Sequence, residues 1–456
     1  MKYWNMETSK LLLRSTFIAA LGGFLFGFDT AVISGTVDSL ETVFELSPGS
    51  LGFTVASALI GTIFGALSAG WPSDRYGRKK TLFVLAVLFF VSAVGCALCW
   101  DWYSFIIFRF LGGLAVGGAM VVSPMYIAEI SPAKIRGRMV AINNFNVVLG
   151  ILLAYFSNYF ITTLELGAAE WRWMFGIEAF PAAGFFFLLF PTPLSPRWLV
   201  ANSRLDEARA ILVRLGTDYG GVDEEIQAIQ QSLDLDHHSL RERLFCRKYS
   251  APITFAVLIA MFNQLSGINA LIYYAPNIFK MAGAATESAM LQSVIIGFTN
   301  LVFTMLALMI IDHFGRKRLM LIGSLGYIVS LATVSVAFFK FGTDFSAVGG
   351  KVVLGALILY IASHAFGQGT VMLVFISEIF PNRVRARGLA LGAFTHWFMA
   401  AVISWTFPVL VELLGAGTVF AFYCTMMVLQ LIWVLRMMPE TKGVPLEEIQ
   451  KHLGIE

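Results

Sequence analysis

Hydrophobic residues in this chain run in long unbroken blocks. Twelve apolar segments follow one another, near residues 12–36, 51–71, 81–100, 103–126, 139–163, 171–191, 251–280, 290–311, 319–339, 352–378, 386–411 and 415–438. About 20 apolar residues are enough to cross the hydrocarbon core of a bilayer as a helix, and a helix satisfies its own backbone there. The pattern predicts an all-α membrane protein with twelve transmembrane helices. A polar stretch over 192–250 divides them six and six. The expected domains are an N-terminal six-helix bundle (1–191), a helical linker domain (192–250), a C-terminal six-helix bundle (251–438) and a short tail (439–456). Arg204 to Leu215 and Asp223 to Leu233 place apolar residues at helical spacing between charges. Two or three short amphipathic helices are expected there.

The short loops set the orientation. Arg75, Arg78, Lys79 and Lys80 lie between segments 2 and 3, and Lys134, Arg136 and Arg138 between 4 and 5; Arg316, Lys317 and Arg318 follow segment 8, and Arg383, Arg385 and Arg387 follow segment 10. The alternate loops carry Asp38, Glu41, Glu45, Asp101, Glu165 and Glu170 and are poor in Lys and Arg. The positive-inside rule then puts both termini and the 192–250 stretch in the cytoplasm of a plasma or bacterial inner membrane. Lys2, Lys10 and Arg14 before the first segment imitate a signal peptide. That run is too long, contains Asp29 and lacks a small-residue cleavage site, so it reads as the first span.

Composition agrees: of 456 residues, 57% are hydrophobic and 13% charged, against a usual charged share of about 25%. A formal charge of +3 is too small to suggest nucleic acid. Cys96, Cys99, Cys246 and Cys424 form no disulfide or zinc pattern, and the Cys96-x-x-Cys99 pair reads as packing inside an apolar run. His237 and His238 point to different faces and have no further ligands nearby, so no metal site is expected.

The two halves repeat each other. Asp74-Arg-Tyr-Gly-Arg-Lys-Lys80 follows segment 2 as Asp312-His-Phe-Gly-Arg-Lys-Arg318 follows segment 8. Glu129-Ile-Ser-Pro-Ala-Lys-Ile-Arg-Gly-Arg138 follows segment 4 as Glu378-Ile-Phe-Pro-Asn-Arg-Val-Arg-Ala-Arg387 follows segment 10. Parallel six-span repeats of this kind build secondary transporters. A topology signal accounts for the Lys and Arg but not for the recurring acids, glycines and prolines. Breakable ion pairs of a cytoplasmic gate are expected among Asp74, Arg78, Glu129, Arg136, Asp312, Arg316, Glu378 and Arg385.

These motifs resemble the sugar porters of the major facilitator superfamily, as do Ser195-Pro-Arg-Trp198, Asn263-Gln-x-x-Gly-Ile-Asn269 and Pro439-Glu-Thr-Lys-Gly443. The resemblance covers essentially the whole chain and implies the two-bundle major facilitator fold and monosaccharide transport by a monomer. One departure lies at Pro191-Thr-Pro-Leu-Ser-Pro196, where the family usually has Pro-Glu-Ser-Pro-Arg; the missing Glu removes a partner for the arginine network.

Asp29, Arg109 and Glu178 interrupt apolar segments 1, 4 and 6. A charge at mid-membrane costs about 2.5–3.5 kcal/mol on insertion scales, so such residues are functional candidates by default. The resemblance to proton-coupled bacterial sugar porters of the xylose/proton type implies that Asp29 takes up the coupling proton, that Arg109 competes for its carboxylate and that Glu178 modulates the pair. No other cofactor is expected. Facilitative relatives usually have Asn in place of Asp29.

Segment 7 offers Asn263, Gln264, Asn269, Tyr273 and Tyr274, with Gly267 weakening the helix, and Asn269 lies five residues beyond Gln264, so a bend is needed to turn both amides inward; Asn144 and Asn300 are further isolated amides. As a set they suit a hydroxyl-rich solute. The resemblance marks Phe26, Asn144, Asn263, Gln264, Asn269, Tyr273, Tyr274, Asn300, Gly369 and Trp397 as sugar-facing. Gln is usual where Asn144 and Asn263 stand, and Gly369-Thr-Val-Met-Leu373 lacks the usual proline and tryptophan of segment 10. His364 and His396 in these places resemble the animal fructose carrier and favour fructose or another ketose; glucose, galactose, xylose and polyols remain. A facilitative uniporter and a transporter-like sugar receptor are the alternatives. No hydrolase, kinase or redox motif is present, so no enzyme is expected.

Overall fold

A computed structural model describes residues 10–216, 221–239, 243–342, 344–381, 383–444, 449 and 455, excluding the side chains of 234–239 and 312. The side chains of His237, His238 and Asp312 thus lie outside the described residues. Among the described residues all regular structure is helical. The chain begins with α1 (Lys10–Val32), α2 (Val37–Val43), α3 (Pro48–Ser68), α4 (Gly70–Tyr76), α5 (Arg78–Leu98) and α6 (Trp102–Ile130). α7 (Arg136–Thr162), α8 (Glu170–Gly176) and α9 (Ala179–Leu188) follow. Three short helices occupy the polar stretch: α10 (Pro196–Ala201), α11 (Leu205–Leu215) and α12 (Val222–Ser239). The remainder is α13 (Ser250–Leu265), α14 (Ile268–Met281), α15 (Thr286–Phe314), α16 (Arg316–Phe341), α17 (Ala347–Phe366), α18 (Gln368–Ile379), α19 (Arg385–Leu414) and α20 (Ala416–Arg436).

Among the described residues eleven stretches are long and apolar enough to cross a membrane. The remaining expected segment, 171–191, is broken into α8 and α9. At the break Glu178 N–H bonds Phe175 O and Phe180 N–H bonds Ile177 O, so the ladder tightens to three-residue steps around Glu178.

Two carbonyls left free inside helices follow from proline chemistry. Pro276 lacks an N–H, which frees the carbonyl of Ile272 four residues earlier; the Tyr155 hydroxyl donates to that oxygen at 2.7 Å. Tyr274, just before Pro276, leaves helical geometry at φ −118°, ψ 20°. Pro408 inside α19 frees Ser404 O in the same way, and the Tyr274 hydroxyl donates to it at 2.9 Å. An unpaired carbonyl in lipid costs several kcal/mol, which explains buried tyrosines beside both prolines.

The contacts divide the chain into two compact units. One holds the described residues of Met1–Thr30, Ile60–Ala154 and Arg172–Arg241. Its core contains Leu25, Phe89, Val116, Tyr126 and Phe185, from α1, α5, α6 and α9. α1 and α7 cross backbone to backbone: a Cβ on Gly27 would stand 1.9 Å from Val147 O, and one on Gly150 2.2 Å from Phe24 O. A separate cluster of Trp198, Leu199, Ala208, Leu212, Val222 and Ile226 joins α10, α11 and α12. The other unit holds the described residues of Ala31–Leu59, Tyr155–Trp171 and Glu242–Glu456. Its core includes Ile259, Leu319, Phe375, Phe380 and Val434.

Candidate functional site

In the first unit α1 and α6 bring Asp29 and Arg109 together. Arg109 Nη1 donates to Asp29 Oδ1 at 2.6 Å, with the two side chains 1% and 4% exposed. The guanidinium also lies 5.5 Å from the centre of the Phe175 ring, where the π face favours a cation. Glu178 is 2% exposed and its Oε1 has no hydrogen-bond partner among the described residues. Asp29 and Arg109 both act on it electrostatically. Two carboxylates and one guanidinium, all excluded from water, are neutral only with one proton bound. A net buried charge is expensive, so this trio has the composition of a proton-exchange site.

Elsewhere in this unit Phe26 is half-buried on α1. Asn144 is exposed, while Asn143 and Asn146 beside it are buried.

In the second unit the segment 7 amides converge. The chain leaves α13 at Leu265, passes Gly267 at φ 86°, ψ 16°, and re-enters α14 at Ile268. Only glycine adopts that left-handed geometry without strain, so the bend expected from the spacing of Gln264 and Asn269 sits on this residue. Asn269 Nδ2 donates to Gln264 Oε1 at 2.9 Å. Gln264 Nε2 donates to Asn263 Oδ1 at 3.0 Å and lies 3.2 Å from His396 Nδ1. The His396 ring packs edge-on against buried Trp397, 4.8 Å between centres. Asn263, Gln264, Asn269 and His396 thus form one polar cluster.

Tyr273 and Tyr274 are buried, and the Tyr274 hydroxyl is engaged by α19. Asn300 on α15 is buried and accepts from Thr304 Oγ1 at 3.3 Å. His364 and Gly369 flank the break between α17 and α18, and Tyr327 Oη lies 2.5 Å from His364 Nδ1.

Each unit also contains an ion pair from the repeated loops. Arg78 Nε bonds Glu129 Oε2 at 2.9 Å and Nη1 bonds Asp74 Oδ1 at 3.0 Å. Arg316 Nη2 bonds Glu378 Oε1 at 2.8 Å. Arg136 and Arg385 bind backbone instead, at Ala128 O (3.0 Å) and Phe380 O (3.3 Å).

Sequence reasoning missed a set of contacts within the second unit. Asp38 pairs with Asn277 and with Lys280 at 2.5 Å. Asn158 Nδ2 donates to Val32 O at 2.9 Å, and Trp405 Nε1 to Gly49 O at 3.1 Å. With Tyr155 on Ile272, these tie the ends of α1, α3 and α7 to α14 and α19. Asp38 reads as a loop charge and Lys280 as the last residue of segment 7, and no local pattern links residues so far apart in sequence.

The family model described as "Sugar (and other) transporter" matches residues 15–453. The chain belongs to the sugar porter family. It is a multi-pass membrane transporter and not an enzyme. The D-xylose-proton symporter of Escherichia coli (strain K12) is 40% identical over 97% of this sugar porter and 96% of its own length. The glucose transport protein of Synechocystis sp. is 37% identical over 96% of this chain and 97% of its own. A partially occluded inward-open structure of the xylose transporter XylE from E. coli superposes with a TM-score of 0.84 at 38% identity, covering 96% of this chain and all of that one. The fold is therefore the major facilitator fold of twelve transmembrane helices.

Proposed function

We propose that this sugar porter carries a monosaccharide and a proton together across a cell membrane by alternating access, as a monomer with both termini cytoplasmic. The observation that carries the reading is the buried Arg109–Asp29 pair beside Glu178. In a carrier without ion coupling, a buried ion cluster is a poor source of stability; as a proton site it has a purpose. The Arg109 guanidinium, 2.6 Å from Asp29, competes with a proton for the carboxylate. Withdrawal of Arg109 would leave a desolvated carboxylate that takes up a proton.

The bundles 1–191 and 251–438 are the moving bodies of this reading, with 192–250 joining them. The Asp38, Asn158, Tyr155 and Trp405 contacts serve as the outer closure, and the Arg78–Glu129 and Arg316–Glu378 loops serve the cytoplasmic side. The Asn263, Gln264, Asn269 and His396 cluster binds sugar hydroxyls, with Phe26, Asn144, Tyr273, Tyr274, Asn300, His364, Gly369 and Trp397 as the other sugar-facing positions.

Sugar-driven pH change in proteoliposomes tests the coupling. Asp29→Asn should abolish it while leaving sugar exchange, the behaviour of a uniporter; coupled uptake that survives unchanged overturns the proposal. For the sugar, the relatives' names speak of xylose and glucose. His364, His396 and the absent segment 10 tryptophan favour a ketose, fructose foremost. Competition of labelled-sugar uptake by hexoses, pentoses and polyols decides, and fructose failing to compete where xylose succeeds removes the ketose reading.

A further inference from the structure

A buried chain of hydrogen bonds crosses α16, α20, α18 and α17, and its carbonyl and thioether acceptors give it a direction. Ser324 Oγ lies 2.7 Å from Met320 O, a carbonyl that can only accept, so the serine proton is committed to it. Ser324 Oγ must then accept from Gln430 Nε2 at 2.8 Å. That turns Gln430 Oε1 toward Gln368, whose Nε2 donates to it. The Gln368 Nε2 group also faces Met427 Sδ at 4.0 Å, and a thioether can only accept. Both ends of the Gln368 amide are thereby assigned by their partners.

Gln368 Oε1 is left facing Tyr327 Oη at 3.2 Å, and the single phenolic proton goes to it. The oxygen of Tyr327, 2.5 Å from His364 Nδ1, has no proton remaining for the ring. His364 must supply one. Ser324, Tyr327, Gln368 and Gln430 are all 0% exposed, which leaves no route for solvent to reverse the order.

We propose that this chain locks His364 in the neutral Nδ1–H tautomer, so that Nε2 carries a bare lone pair. Hydrogen bonding at one ring nitrogen sets the state of the other. The Nε2 edge lies against Gly369: a Cβ there would stand 3.0 Å from both Nε2 and Cδ2. Gly369 is exposed and His364 half-buried, so the lone pair opens past the glycine. In the sugar site proposed above, on which this consequence rests, His364 is an acceptor-only position. It requires a hydroxyl that donates and rejects a group that can only accept. Tyr327, Gln368, Gln430 and Ser324 are positioning residues for that contact.

Two measurements separate this inference from the sugar reading. Solid-state NMR of the full chain in proteoliposomes with ring-15N histidine reports the tautomer without any sugar. One of the six histidines is assigned by difference with His364→Asn, or by its through-space contact to 13C-labelled tyrosine where that variant fails to fold. A protonated Nδ1 and bare Nε2 are expected; a protonated Nε2 overturns the inference. Tyr327→Phe should give a mixture of tautomers, and a single unchanged tautomer overturns the role of the chain. A panel of monodeoxyfluoro sugars then reads specificity. Fluorine at the position facing His364 should raise KM about tenfold, the worth of roughly 1.4 kcal/mol, and Tyr327→Phe should shrink that penalty while kcat changes little. A protonated Nδ1 with a flat fluorosugar panel upholds the locked ring and removes His364 from the sugar site.

Discussion

The loops at 74–80 and 312–318 share one plan, yet their surroundings complete it with different chemistry. α5 and α16 each start after a glycine at positive φ, Gly77 at 95° and Gly315 at 86°. In each, the first arginine turns back to a carbonyl five residues earlier: Arg78 to Ser73 O at 3.0 Å, Arg316 to Ile311 O at 3.4 Å. Each arginine binds a glutamate that also accepts from a hydroxyl at 2.5 Å, Ser195 for Glu129 and Thr441 for Glu378.

The difference lies over the glycine. Gly77 sits under the Trp198 indole, whose Nε1 donates to Asp74 O at 2.9 Å. Gly315 sits against the Glu440 carboxylate, which accepts from Arg316 N–H at 2.9 Å and Lys317 N–H at 3.1 Å. An anion at a helix N-terminus is favourable but is screened by salt. An apolar cover is not. Leu194, where the family usually has Glu, joins the apolar cluster of α10, α11 and α12. The arginine–glutamate pair is therefore the repeated part of the device, and the helix-start cover is the variable part.

Breaking the pairs should separate the loops most. Arg78→Ala strands Glu129, whose side chain is only 8% exposed, and should cost about 3–5 kcal/mol. Arg316→Ala leaves Glu378 at 26% exposure with Thr441 still donating, and should cost about 1–3 kcal/mol. Thermal unfolding in detergent measures both, and an equal loss would erase the distinction in burial. Next comes Glu440→Ala, which removes a helix-start acceptor worth about 0.5–2 kcal/mol. Its effect should fade in high salt, where a salt-independent loss would show that packing rather than charge holds α16. The smallest effect belongs to Leu194→Glu. Trp198 already covers Gly77, so the new carboxylate gains no comparable seat and loses about 1 kcal/mol of apolar burial. A clear stabilisation instead would mean that the two loop environments are interchangeable.

Much of this was legible from local pattern. The apolar blocks mark the spans, the charges of 204–233 mark helices under a hydrophobic face, and the spacing of Gln264 and Asn269 demands the bend that Gly267 makes. The closeness of Asp29 and Arg109 follows from the cost of leaving either alone in lipid. Other features were not legible. Segment 6 reads as continuous, although Pro181, which has no N–H for Ile177 O, falls just past the break at Glu178. Of Asn143, Asn144 and Asn146, only the packing of α7 against α1 decides which remain accessible. The tyrosines that serve Pro276 and Pro408 come from residues 117 and 130 positions away along the chain from the carbonyls they bind.

By itself, then, the sequence determined the all-helical membrane fold, its internal repeat and the residues too polar to sit idle among apolar ones. These are consequences of solvent: lipid penalises every unpaired charge and backbone group wherever it falls. Tertiary structure alone decided the partners. His364 is a lone histidine in an apolar segment until Tyr327, Gln368, Gln430 and Ser324 stand in order around it. Hydrogen bonds are directional and short, so the ring's proton depends on where three other helices place their donors, and no spacing along the chain encodes that.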